Sequence, residues 1–294
     1  MSTQKFHNHV VVGVDGSDAS IGAALWAGAL AHRLGSELVL VYAIPQNTAL
    51  YSSASALAES QVIDALRQDA TEIVEAGEAA VRAAHPDVAV HHLIGMGPAG
   101  TLLVEVAANA RMVVVGSTGA GAVRALLLGS TALHVANKAP CPVTVWRGAR
   151  SQPDNSPIVV GVDGSALSSS AVDISFELAA FFDAPVVAVH TWQGSPGLGP
   201  VDTDPRVSWE AVSQEEHALL SERLSGTAQQ YPDIDVRKVA EQGGAAETLL
   251  RESENAQLIV VGSHGRGPLL GAVMGSTSQN LLHHARCPVT VCRQ

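Results

Sequence analysis

The 294-residue chain carries 28 Asp+Glu against 17 Lys+Arg, a formal net charge of -11, so its averaged field repels a phosphate backbone and argues against nucleic acid as a direct partner. Only 4% of residues are aromatic against 47% hydrophobic, so aliphatic side chains must fill the core, which fits alternating strands and helices better than an all-β sandwich. The length suits two domains of ordinary size.

The chain opens MSTQKFHNHVVVGVDGS, with no charged segment leading into an apolar stretch, and no later run approaches the roughly 18 apolar residues of a membrane span. A cytoplasmic protein without a membrane partner is the expectation. From Val10 to Asp15 a short apolar run ends in turn residues. Ala19–Leu34 then has apolar residues at helical spacing behind an N-cap at Ser17 or Asp18. A second strand is expected over Glu37–Ala43, a polar loop over Gln46–Ser55, and a long helix from about Glu59 to Ala84. Strands follow at Val88–Leu93, Met112–Gly116 and Pro142–Trp146, with helices near Gly100–Asn109 and Ser130–Lys138. Val-rich runs such as MVVVG and LIVVG are what a parallel sheet covered on both faces requires.

After an interruption, RGARSQPDNSP at Arg147–Pro157, the whole order repeats. VVGVDGS occurs at Val11–Ser17 and Val159–Ser165, VVGS at Val114–Ser117 and Val260–Ser263, GST at Gly129–Thr131 and Gly275–Thr277, and CPVTV at Cys141–Val145 and Cys287–Val291. Preserved order over four blocks means duplication. The expected organisation is a first module over 1–148, a linker over 149–156 and a second module over 157–294, each a five-stranded, doubly wound parallel α/β domain. Gly194–Pro205 reads as a surface loop of the second copy.

Glycines recur after the fourth strand of each copy. Copy one has Gly116-Ser117-Thr118-Gly119-Ala120-Gly121 and then Gly129-Ser130-Thr131; copy two has Gly262-Ser263-His264-Gly265-Arg266-Gly267 and then Gly275-Ser276-Thr277. A phosphate needs several backbone N–H groups turned toward one point, which glycine permits, and the new helix at Ser130 or Ser276 offers free amides and hydroxyls to close the cradle. In an open α/β sheet the ligand lies beyond the carboxyl ends of the strands where strand order reverses. Asp15 and Asp163 end strand one, so each can face the loop across a crevice and take a ribose hydroxyl or share Mg2+ with phosphates. Asp before Gly-Ser is also ordinary turn chemistry, and Ser17 and Ser165 suit helix N-caps.

A first strand ending VDGS, a G-x2-G-x9-G-[ST] loop after strand four and a CPV-type terminal strand together resemble the universal stress protein family, in the tandem two-domain form common in actinobacteria. The resemblance covers nearly the whole chain, twice. It implies a Rossmann-like strand order 3-2-1-4-5 and an ATP site in each copy, with Mg2+. Asp15 and Asp163 would stand near the sugar, the main chain of Ala43 and Thr191 would meet adenine, and the loop glycines with Ser130 or Ser276 would hold the phosphates. Gly13 and Gly161, inside the first strands, complete the candidate set. It also implies pairing of modules through the last strands, hence a homodimer, and a regulatory protein partner of unknown identity. The function expected is nucleotide-dependent regulation in stress response or growth control. The copies differ: Thr118 and Ala120 stand where copy two has His264 and Arg266, and Arg124 aligns with Leu270.

Two other classes stay open. ATP pyrophosphatases and adenylating ligases of related fold carry a serine-glycine-glycine loop after strand one, where this chain reads VDGSDAS and VDGSALS, and no catalytic Cys–His or Ser–His–Asp set can be assigned. The chain is not expected to be an enzyme, although slow hydrolysis of a bound nucleotide needs no dedicated base. A structural dimerisation module with degenerate sites is the third reading. Twelve histidines show no ligand spacing, because His91-His92 and His283-His284 are adjacent pairs and His7 and His9 belong to a segment expected to be mobile, so no metal site is assigned. Cys141, Cys287 and Cys292 have neither disulfide nor zinc spacing and read as buried thiols.

Overall fold

A computed structural model describes residues 8–45, 56–119, 128–148, 152–192, 208–265 and 274–293. The chain divides into two compact units, the first ending at Pro153 and the second covering Asp154–Arg293. Each is built the same way and each is described by itself.

The first unit runs β1 (His9–Gly13), α1 (Asp18–Leu34), β2 (Leu38–Ile44), α2 (Ala56–Ala84), β3 (Val90–Met96), α3 (Ala99–Ala107), β4 (Ala110–Gly116), α4 (Ser130–Lys138) and β5 (Val143–Trp146). Its sheet is parallel in the order β3-β2-β1-β4-β5, so strand order reverses between β1 and β4. Right-handed crossovers place α1 and α2 on one face and α3 and α4 on the other, and the contacts of α1 with α2 and of α3 with α4 agree. Covered on both faces, Val10, Val11, Val12, Val113 and Val114 are wholly inaccessible to solvent, which is why these strands read as unbroken apolar runs.

The second unit repeats this as β6 (Ile158–Gly161), α5 (Ala166–Phe182), β7 (Val186–Trp192), α6 (Trp209–Gln230), β8 (Val236–Gln242), α7 (Ala245–Glu252), β9 (Leu258–Gly262), α8 (Ser276–His284) and β10 (Val289–Cys292). Its strand order, β8-β7-β6-β9-β10, is the same permutation. The end of the interruption between the copies is tied to this unit. Buried Gln257 donates from Nε2 to the carbonyls of Asp154 (2.5 Å) and Ser156 (2.6 Å) and accepts from the Asp154 amide (3.0 Å).

The helix starts follow the sequence. Ser17 caps α1 by accepting from the Ser20 amide at 3.2 Å, and Ser165 caps α5 by accepting from the Ser168 amide at 3.2 Å. At the other end the copies diverge: α1 stops at Gly35 (φ 60°), whereas α5 stops at Asp183 in the same left-handed conformation (φ 53°). Strand limits shift by one to three residues from expectation, β1 ending at Gly13 and leaving Val14 and Asp15 to the turn, and β3 running on to Met96 rather than ending at Leu93. His9 is the first residue of β1 with its side chain 13% exposed, which corrects the expectation of a mobile position. All three cysteines are buried thiols outside any disulfide among the described residues, and burial pushes the thiols of Cys141 and Cys292 up to about 12. No helix among the described residues is long and apolar enough to cross a membrane. The expected loops at Gln46–Ser55 and Gly194–Pro205 lie outside the described residues.

Candidate functional site

At the carboxyl ends of β1 and β4, where the strand order reverses, the first unit has a cavity of about 400 Å3. The second has one of about 310 Å3 between the ends of β6 and β9. Both volumes fall within the range of roughly 300–1,000 Å3 for small-molecule sites.

The first unit's cavity brings together Gly13, Asp15, Ala43, Gly116, Thr118, Gly119, Gly129, Ser130 and Thr131. The second brings together the matching Gly161, Asp163, Thr191, Gly262, His264, Gly265, Gly275, Ser276 and Thr277. Ser117 and Ser263 face away: both are buried, and neither lines its cavity. Ala120, Gly121, Arg266 and Gly267 lie outside the described residues, as do Arg124 and Leu270.

Each Asp serves the turn and the cavity at once. Asp15 Oδ1 accepts from the Ser17 amide (3.0 Å) and the Ser17 hydroxyl (2.6 Å), which locks the β1–α1 turn. Its Oδ2 is directed at the loop: a Cβ built on Gly119 would stand only 2.7 Å from it. The second unit repeats this, with Asp163 Oδ1 accepting from the Ser165 amide at 2.9 Å and Oδ2 lying 2.5 Å from a Cβ built on Gly265. Glycine at these two positions is therefore a condition for the carboxylate's placement. The turn and site readings of Asp15 and Asp163 describe one geometry.

Gly116 and Gly262 have a different reason. A Cβ on Gly116 would meet the Ala19 backbone at 3.0 Å, and one on Gly262 would meet Leu167 Cβ at 2.9 Å. These glycines let the strand end against the first turn of the helix, so close packing, rather than access to a phosphate, is their local requirement.

The far side of each cavity is a helix start. The amide of Gly129 donates to the Ser117 carbonyl at 2.8 Å, and that of Gly275 to the Ser263 carbonyl at 2.8 Å, pulling the chain back to the strand end. Gly129 and Gly275 are the N-caps of α4 and α8, and neither start has a side-chain cap. The first-turn amides, aligned with the helix dipole, thus border the cavity, and neither N-cap supplies a side chain to them.

An apolar wall completes the site, supplied by Val41 and Leu103 in one unit and by Val189 and Leu249 in the other. Sequence reasoning missed these residues because they look like any core aliphatic. Only the strand order places the first turn of α3 or α7 across the switch point. It also missed Ser20 and Ser168, whose hydroxyls accept from the amides of Asp15 (3.2 Å) and Gly164 (3.0 Å); the Ser at the third helical position was the available signal.

The surroundings of the two cavities differ, although Tyr42 and His190 themselves line neither. At the end of β2, burial raises the Tyr42 phenol's pKa above its ordinary range, with Asp15 and Asp69 adding to the effect. The equivalent His190 on β7 is buried and bridges the Val162 carbonyl (Nδ1, 2.6 Å) and Glu216 Oε2 (Nε2, 3.0 Å). His264 accepts or donates at Nδ1 with the Ser263 hydroxyl (3.1 Å), while its buried Nε2 has no partner among the described residues.

A parallel doubly wound sheet in this order, with a carboxylate beside a cavity at the switch point, defines a doubly wound α/β unit that the chain contains twice. Known proteins make the class specific. The sequence profile of the universal stress protein family matches residues 7–147 and 155–293. A universal stress protein of Mycobacterium tuberculosis is 36% identical over 300 residues, covering 100% of both chains, and one of Mycolicibacterium smegmatis is 32% identical over 289 residues, covering 97% of this chain and 96% of the relative. The crystal structure of a universal stress protein from Archaeoglobus fulgidus superposes with a TM-score of 0.72 at 19% identity over 98% of this chain and 97% of its own. The chain belongs to the universal stress protein family, in its tandem two-domain form.

Proposed function

We propose that each unit binds one adenine nucleotide, ATP with Mg2+, and that occupancy regulates a partner protein in stress response or growth control. The observation that carries this reading is the twice-built pairing of an Asp Oδ2 with a helix start lacking a side-chain cap, across a cavity of ligand size. The phosphates lie against the first-turn amides of α4 or α8 and the hydroxyls of Ser130 and Thr131 or Ser276 and Thr277. Asp15 or Asp163 takes the ribose hydroxyls, and the apolar wall of Val41 and Leu103, or Val189 and Leu249, borders the base beside the main chain of Ala43 or Thr191. The Nε2 of His264, buried and without a partner among the described residues, supports a further phosphate contact in the second unit. A cation on the triphosphate fits the same Asp oxygens. Bulk charge does not help an anion to this protein, so recognition rests on these local dipoles.

In this reading the protein is a binding protein in the cytoplasm, paired as a homodimer through its terminal strands, and any hydrolysis is slow. The test is to purify the chain without added nucleotide, denature it, identify what is released, and titrate stripped protein with ATP, AMP and cyclic AMP by calorimetry. Close to two adenine nucleotides per chain is the expected result. No released nucleotide and no heat with any of the three, Mg2+ present, would leave a structural module and refute the proposal. Rapid ATP turnover would instead make it an enzyme.

A further inference from the structure

The amino-terminal end of the first unit's sheet, opposite the cavity, gathers three potential metal ligands, His9 from β1, Glu37 from the residue before β2 and His91 from β3. In the parallel register Val10 lies beside Leu38 and Val39 beside His91. Side chains alternate along a strand, so His9, Glu37 and His91 share one face of the sheet. His9 Nε2 is 2.6 Å and His91 Nε2 2.8 Å from the same carboxylate oxygen, Glu37 Oε2, and the donor atoms all lie within 4.8 Å of one another. The imidazole rings are tilted, with centroids 6.1 Å apart, and their shared contact with Glu37 Oε2 shows that both Nε2 atoms face one point.

The fold does not require this trio. The amides of Val10 and Ile158 donate at 2.9 Å to the carbonyls of Glu37 and Pro185, which makes these equivalent positions in the two units. By the same register His9 corresponds to Pro157, and His91 to Arg237, which pairs with Val187 as His91 does with Val39. The second unit builds the same sheet with two prolines and an arginine there, a set with no metal ligand. A shared structural need would be met in both copies; the ligands occur in one.

We propose that His9, Glu37 and His91 form a binding site for a divalent transition-metal ion of the Zn2+ class. Two neutral imidazoles and a carboxylate suit such an ion, at bond lengths of about 2.0–2.2 Å, with the fourth position left to water. Closing on the ion takes the place of the two hydrogen bonds to Glu37 and opens the donor separations to about 3.3 Å, the edge of a tetrahedron with those bond lengths. Glu37 and His91 side chains are 50% and 51% exposed and have room for that shift, while His9, 13% exposed, holds the site to the sheet. Spacing along the sequence cannot show this site, because the ligands come from β1, from the residue before β2 and from β3. A bound ion cross-links β1, β2 and β3, so it stabilises the folded unit by mass action.

The test is calorimetric titration of Zn2+ into the nucleotide-free full chain and its variants Glu37→Gln, His91→Ala and His92→Ala, with Co2+ visible absorption as a second readout. His92 faces Glu78 instead and serves as the control. The expected result is one tight Zn2+ per chain, weakened at least tenfold by Glu37→Gln and by His91→Ala but not by His92→Ala, together with a Co2+ band in the parent that the first two variants lose. All three substitutions fall on partly exposed side chains, and equal urea midpoints without metal confirm that the variants fold. No Zn2+ uptake by the parent, or equal affinity in the parent, Glu37→Gln and His91→Ala, overturns the proposal.

Discussion

Adding one methyl group at Gly265 tests the coupling between the loop and the Asp163 carboxylate. In Gly265→Ala the new Cβ would stand 2.5 Å from Asp163 Oδ2, whereas ordinary contact begins at 3.4 Å, so the carboxylate must retreat by roughly 0.9 Å. It cannot retreat freely, because Oδ1 is held by the Ser165 amide at 2.9 Å. Rotation that relieves the clash takes Oδ2 away from the ligand and so gives up the ligand's hydrogen bond to a charged group, of about 1.5–3 kcal/mol. At 1.4 kcal/mol per factor of ten, nucleotide affinity at the second site falls about tenfold to a hundredfold. The assay is ATP calorimetry in an Asp15→Ala background, so that only the second site reports, with urea midpoints to show that folding persists. A double-mutant cycle sharpens it: once Asp163→Ala removes the carboxylate, Gly265→Ala loses its target and costs little more. Strict additivity of the two losses, or unchanged affinity in Gly265→Ala, would refute the argument that this glycine exists to seat the carboxylate.

Asp183→Gly relieves a left-handed residue at the end of α5 and is expected to stabilise the protein by about 0.5–1 kcal/mol, read as a higher urea midpoint; a lower midpoint would mean that the Asp side chain contributes more than its conformation costs. Glu241 is held below the usual carboxylate range by the Thr248 hydroxyl (2.7 Å) and by Arg251 (2.7 Å), so its folded pKa lies under the unfolded value of about 4.3. Its contribution is complete above that pH and vanishes as pH falls through the folded pKa; the stability gap between the parent and Glu241→Gln therefore narrows on going from about pH 6 to about pH 3, and a constant gap would contradict the sign. Cys141, Cys287 and Cys292 are at most 8% exposed, so a thiol reagent such as DTNB labels none of them in the native protein and all three after denaturation, whereas rapid native labelling would contradict their burial.

The fold was legible because its signals are local. Val-rich runs ending in glycine, Ser caps and the repeated blocks mark strands, helix starts and duplication without reference to distant contacts, and α4 begins and ends where the sequence places it, at Ser130 and Lys138. The candidate site was half legible. Asp15, the loop glycines and the GST helix starts carry unusual residue types, which sequence displays. Leu103, Leu249, Val41 and Val189 do not, since an aliphatic residue on a cavity wall and one in a core share the same local pattern. The glycines also illustrate a limit of motif reading. One spacing covers two physical demands, approach to a helix at Gly116 and approach to a carboxylate at Gly119, and only coordinates separate them. His9, Glu37 and His91 were beyond sequence reasoning for the reason that makes them interesting: the sheet brings them together from β1, the residue before β2 and β3.

Comparing the copies shows what duplication fixed. The backbone bond that closes the loop is 2.8 Å in both units, Ser17 and Ser165 cap at the same 3.2 Å, and each Asp Oδ2 faces its glycine. These features concern amides, a carboxylate and missing side chains, and the parallel sheet leaves few other ways to close a strand end onto a helix start. Side chains around that frame have diverged. Gly16 is met by Ile73 of α2, but Gly164 by the guanidinium of Arg223 of α6; Tyr42 gives way to His190 with its Glu216 partner, and Thr118 to His264. Of these changes, Ile73 to Arg223 puts a charged group where the first unit has an apolar one, while Tyr42 to His190 and Thr118 to His264 exchange one polar group for another of different chemistry. If both units bind nucleotide as proposed, a constant frame with diverged side chains around it keeps the class of ligand and makes the two affinities unequal, an outcome that titration of Asp15→Ala and Asp163→Ala would read as two different midpoints.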